Sequence, residues 1–208
     1  MKTTINVIAT TVGLLGMALC NTAAAAAIAF TAYNAVAADL DLSVDVTVSD
    51  GMAFFDFANN STGESAGSSL ARIYFEAGLV TFDLSNGAVI AGSGTDFSSS
   101  FPGPGSPPGG NTVAWSGVFA SFGASAPPSH NGLGVGDTLL IAFDYAGSLD
   151  TLLDALTDSA GNARIAGHVL NCVGDDSCAT TTVIPIPAAL PLFLSAIAGF
   201  GFLTRRRA

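Results

Sequence analysis

The side chains of this chain whose types and spacing could do chemistry are few: a cysteine pair, a set of aspartates, one tryptophan and two histidines. Cys172 and Cys178 stand in Cys-Val-Gly-Asp-Asp-Ser-Cys. In an exported chain such an even pair reads as a disulfide. Closing so short a loop stabilises by about 2 kcal/mol in the chain-entropy picture. Zinc is the rival, but two cysteines with no nearby histidine and no second cysteine pair make a poor zinc set. Asp39, Asp41 and Asp45 project from one end and face of a predicted strand, and Asp175 and Asp176 lie between the cysteines. Their hard oxygens suit calcium, although no Asp-x-Asp-x-Asp-Gly loop or nonapeptide repeat accompanies them. Trp115, with Phe119 or Tyr145, offers a flat face that could stack on a sugar ring. An aromatic residue in a strand more often belongs to the core.

Catalysis finds less support. His130 sits in a Pro/Gly loop and His168 in an apolar strand, where a hydrogen-bonded structural role is expected. There is no Gly-x-Ser-x-Gly elbow and no His-Glu-x-x-His pair. A carboxylate pair of the glycosidase kind could hide among the 16 acids, since pairing in space leaves no trace in sequence. The expectation is a protein that is not an enzyme, with calcium as the sole candidate cofactor and a secreted glycan hydrolase as the remote alternative.

The elements that must position these residues are strands. Residues 40–49 alternate without a miss, with Leu40, Leu42, Val44, Val46 and Val48 on one face. Period two over that length predicts a strand with one face buried. Asp50-Gly51 predicts a hairpin turn, with the return strand over 52–58. Further strands are predicted over 70–76, 79–84, 88–91, 112–122, 137–145 and 164–171, the last turned by the cysteine loop toward 179–183. The proline-rich 92–111 stretch predicts a loop. One helix is predicted from the N-cap Ser148 to Gly161, with Leu149, Leu152, Leu153 and Leu156 on one face. Many short strands with Gly/Pro turns make an all-β, antiparallel β-sandwich with one short helix.

Charge narrows the partners. Between Asp39 and Val183 only Arg72 and Arg164 are basic, against all 16 acids. A domain so negative repels phosphate backbones, which excludes nucleic acid.

The two ends are not globular material. Met1-Lys2, the uncharged apolar run from Ile5 to Leu19 and the alanines after Thr22 predict a signal helix. Cleavage is expected after residue 25, with an alternative after residue 37. Leu19 is too bulky to make Cys20 a lipoprotein site. At the other end, residues 186–203 carry no charge, a length of about 27 Å as a helix, which just spans a thin bilayer. Arg205, Arg206 and Arg207 hold that end on the cytoplasmic side. The predicted organisation is a signal peptide over 1–25, a β-sandwich ectodomain over 38–183 and a C-terminal sorting signal with a transmembrane helix over 184–208.

Ile184-Pro185-Ile186-Pro187-Ala188, the glycine-dotted span and the terminal arginines together resemble the PEP-CTERM sorting signals, and most closely the variant with a Val-Pro-Leu-Pro-Ala signature. That resemblance implies processing by exosortase, a multi-spanning membrane enzyme of Gram-negative bacteria with exopolysaccharide loci. It implies passage through the secretion machinery, a transient stay in the inner membrane, and a final place on the outer surface or in an extracellular matrix or biofilm. A plain C-terminal anchor carrying a calcium- or carbohydrate-binding module is the alternative. The domain is also similar to a recurring ectodomain type carried by such tails, without established activity. Arg72-Ile73-Tyr74-Phe75-Glu76, the 131–137 stretch, the leucine-rich helix and Ile165-Ala166-Gly167-His168-Val169 carry that likeness.

Overall fold

The computed structural model describes residues 25–32, 37–100, 115–157, 163–173 and 176–182. The strands are β1 Ala26–Ala32, β2 Leu42–Ser49, β3 Met52–Asn59, β4 Ser69–Glu76, β5 Ser85–Ser93, β6 Phe97–Ser100, β7 Val118–Ala124, β8 Thr138–Asp144, β9 Ile165–Val173 and β10 Asp176–Thr182. Two helices join them, the single turn α1 Pro128–Asn131 and the longer α2 Leu149–Thr157.

All pairings are antiparallel, in the order β5-β8-β3-β2-β1-β10-β9-β4-β7-β6. The all-β antiparallel class therefore stands. The two layers expected of a sandwich are halves of one nearly barrel-shaped sheet, whose end strands β5 and β6 approach each other. The joint is β1, which pairs β2 through Ala26–Ala29 and β10 through Phe30–Ala32. Its Ile28 and Phe30 are buried in the core.

Packing explains why the halves close. Phe55 of β3 and Phe143 of β8 meet Phe75 of β4 at 5.2 and 4.8 Å between ring centres, edge to face. Phe122 of β7 joins the same cluster, 5.8 Å from Phe75. Edge-to-face pairs add about 0.5–1.5 kcal/mol each beyond their burial, so this ring cluster orients the halves as well as drying the space between them.

Local expectations fare unevenly. The β2–β3 hairpin turns where expected, with Asp50 and Gly51 both at positive φ, the conformation a tight two-residue hairpin requires. Helix α2 begins after Ser148, whose Oγ accepts the Thr151 N–H at 3.2 Å, and buries Leu152 and Leu156. Its described part reaches Thr157, and the expected end at Gly161 lies outside the described residues. Residues 77–82 form a 3-10 segment instead of the expected strand, with Leu79 buried. The loop expected over 92–111 contains β6, and of the strand expected over 112–122 the described part forms from Val118, as β7. Most consequential, the sheet reaches beyond the domain expected over 38–183. It takes in β1, whose alanines had read as the end of the leader.

Among the described residues no helix is long and apolar enough to cross a membrane. Of the expected signal peptide over 1–25 all but Ala25, together with the expected sorting motif, the expected 186–203 span, the terminal arginines and Asp175, lie outside the described residues.

Candidate functional site

Strands β4 and β9 lie side by side in the register Arg72↔His168, Ile73↔Gly167, Tyr74↔Ala166 and Phe75↔Ile165. Two segments almost a hundred residues apart in sequence thus become one surface. Both of the domain's basic residues belong to it, one at its end and one at its middle, in opposite circumstances.

Arg164 immediately precedes β9 and is held by Glu76 at the end of β4. The Glu76 side chain is fully buried. Its Oε2 accepts from the Arg164 backbone N–H at 3.1 Å and from Nε at 2.9 Å. Its Oε1 accepts from the other arm of the guanidinium at 2.8 Å and from the Ser116 N–H at 2.9 Å. Burial pushes the Glu76 carboxyl up, but the hydrogen bonds from Arg164 and Ser116 outweigh it and hold the group below its usual range. The guanidinium also lies over the Trp115 ring, 4.8 Å from its centre. Every acceptor site on the carboxylate is occupied, which is the condition under which a buried pair becomes tolerable. This knot ties the start of β9 to the end of β4 and to the 115–117 approach to β7.

In the middle of the pair, Arg72 is exposed and no carboxylate among the described residues reaches it. Its side chain lies over Gly123 of β7, where a Cβ would come within 3.1 Å of Nε. The missing side chain at 123 lets the guanidinium lie along the sheet. Around it is a concavity of about 420 Å³, lined by Ala71, Arg72, Tyr74, Pro128, His168 and Leu170 with Ala124. That volume falls within the range of small-molecule sites. The Arg72 guanidinium sits against the Tyr74 hydroxyl, whose pKa is raised by burial and partly brought back by that charge. His168 is held below its usual pKa by burial and by the Arg72 charge, so it is neutral at pH 7. Its ring makes no hydrogen bond to a described residue, contrary to the structural role expected of it.

The rim is rigid. Ser69 Oγ donates to the Pro128 carbonyl at 3.2 Å, and Leu70 and Leu133 exchange backbone hydrogen bonds at 3.0 Å each. Behind them the buried Asn59 donates to the Ser68 and Leu133 carbonyls at 3.2 and 3.1 Å. The 131–137 stretch is thus a structural brace for this end of β4.

The residues singled out from sequence are dispersed. Cys172 and Cys178 form the expected disulfide and are buried in the core. They lie within β9 and β10, so the hairpin turn is shorter than the whole cysteine loop. Trp115 has one ring face under Arg164, and Tyr145 is buried with its hydroxyl donating to the Ser148 carbonyl at 2.9 Å. Phe119 packs on Phe143. The aspartates do not converge. Asp39 accepts the Glu64 N–H at 3.1 Å in a turn, and Asp41 flanks the same turn through Ser61. Asp45 faces Asp56 across β2 and β3, and Asp176 opens β10. Among the described residues no three of His, Cys, Asp and Glu gather closely enough to hold a metal ion.

The concavity itself went unread in the sequence. The available signal was an arginine and a tyrosine at i and i+2 of one strand, in a domain with only one other base. Comparison with protein-family models, with curated proteins and with solved structures returns no match to this chain.

Proposed function

We propose that the chain is an exported bacterial surface or extracellular-matrix protein, cut at both ends and associated with exopolysaccharide or biofilm. The secretion machinery brings it through the inner membrane, a leader peptidase removes the first 25 residues, and an exosortase acts at the sorting motif Ile184 to Ala188. It serves as a component of the envelope or matrix rather than as a catalyst.

One observation carries most of the support. The chain enters the sheet at Ala26 and leaves it at Thr182, and Thr182 pairs with Phe30 on the adjacent antiparallel strand. Entry and exit therefore lie at the same end of the sheet, about 13 Å apart along β1 at the usual rise of a strand. A leader and a tail attached there can share one membrane, with the domain standing on the outer side.

The same geometry favours cleavage after residue 25 over cleavage after residue 37. The later cut would remove β1 from the middle of the sheet, with Ile28 and Phe30. Each buried side chain of that kind contributes about 1.5–3 kcal/mol, and the backbones of β2 and β10 would lose their partner. The disulfide within the β9–β10 hairpin fits an oxidising compartment.

Replacing Pro185 and Pro187 together by alanine tests the sorting step. The variant is expected to accumulate uncut in the membrane fraction, while the natural chain is released or surface-attached. Equal processing of both would remove the motif from the account.

A further inference from the structure

We propose that the concavity over β4 and β9 binds one carboxylate-bearing sugar unit of a polysaccharide, with Arg72 as the carboxylate's partner. This rests on the surface-or-matrix reading above and assigns that reading a ligand class and a site.

Charge selects the ligand. A guanidinium presents a planar fork that matches a carboxylate two atoms to two. Here that fork is exposed, lies flat over Gly123 and is unclaimed by any described acid. The surrounding domain is strongly acidic, so its field repels a dianion or a dense polyanion more than a single carboxylate on an otherwise neutral ring. One arginine beside a neutral histidine fits that smaller charge.

Shape and polarity select a sugar. Ala71, Leu170 and Pro128 supply the apolar patch on which the C–H face of a pyranose can rest. His168, with no hydrogen bond to a described residue, can donate to or accept from a hydroxyl. A peptide fits less well. Extended peptides dock by adding main-chain hydrogen bonds at a sheet edge, and β4 is an interior strand already paired with β7 and β9 on both sides. The concavity is broad and open, suited to one unit of a passing chain. Tyr74, nearly buried beside Arg72, is a positioning residue that holds the guanidinium over the site.

The test is titration of the processed protein, purified from its host, with tetragalacturonate, followed by saturation-transfer NMR and calorimetry. Neutral cellotetraose, sodium acetate and an acidic tetrapeptide serve as comparison ligands. The expected result is binding of tetragalacturonate alone, weakened at least tenfold by Arg72→Met and less by Arg72→Lys, with melting temperatures unchanged. Equal binding of cellotetraose would remove the role of Arg72. Equal binding of acetate or the peptide would remove the sugar. No binding at 10 mM, roughly the limit of a meaningful weak site, would overturn the proposal outright. A protein that loses both ends in its host yet binds nothing contradicts this site and leaves the surface reading standing. Binding by a chain that is never processed does the reverse.

Discussion

Arg164 and Arg72 occupy the end and the middle of one strand pair, and the contrast between them separates what holds this domain together from what it can offer to a ligand. Arg164 faces a buried carboxylate, saturates it together with Ser116 and lies over Trp115. Arg72 faces solvent over a glycine, beside a neutral histidine. A buried charge must be paired or the fold fails, whereas an exposed one contributes little to stability and remains available. The lesson is that a charge's surroundings decide its use, and that Trp115, which could have offered a face to a sugar, has one ring face against the structural arginine.

The sharpest way to break the comparison is to remove Arg164. Arg164→Ala leaves the Glu76 carboxylate buried without its partner, and a loss of about 3–5 kcal/mol is expected in urea unfolding. A loss under 1 kcal/mol would mean that water reaches Glu76 and the knot is ornamental. Acid should do the same more gradually. Because the Glu76 pKa is lowered on folding, its contribution is complete above the unfolded value, near 4.5, and disappears as pH falls through the folded one. Stability measured from pH 7 to 3 should therefore drop more steeply in the natural protein than in Glu76→Gln.

The disulfide is the intermediate case. Cys172→Ser with Cys178→Ser should cost at least the roughly 2 kcal/mol of loop entropy, and more because both sulfurs are buried. At the small end, Arg72→Met should change stability by less than about 0.5 kcal/mol, as surface substitutions usually do. A larger loss would show that Arg72 is structural too, and would collapse the distinction. Smaller still is the Asp45–Asp56 pair, like charges directly opposite in β2 and β3. The Asp56 pKa is raised by burial and by Asp45, so Asp45→Asn should stabilise, toward the low end of the about 0.2–1 kcal/mol that cross-strand pairs command.

How much of this was legible in the sequence follows from the range of the interactions. The β2–β3 hairpin and α2 are local: an Asp-Gly turn, an alternating run, a serine cap. Sequence reading finds them because each carries its own instructions. β1 was hidden by composition, since an alanine-rich strand after an apolar leader looks like the leader's end, and only pairing with β2 and β10 makes it a strand. Residues 79–84 are short and apolar, too short for their period to distinguish a strand from a 3-10 turn. β6 lies in a Ser/Gly stretch with one half-buried anchor, Phe97, and its strand state depends on pairing with β7. The candidate site is the extreme case. Arg72 and His168 meet only because β4 and β9 pair in a particular register. A shift of one residue in either strand would turn that strand's side chain to the opposite face and part the two.

The most direct test of the central claim is the intact mass of the protein recovered from its own host, with and without the exosortase. The account predicts a chain that begins at Ala26 and, only when the enzyme is present, ends within residues 184–188. A chain that keeps Phe202 and the terminal arginines in both strains would contradict it, and would make this a protein anchored permanently by its tail.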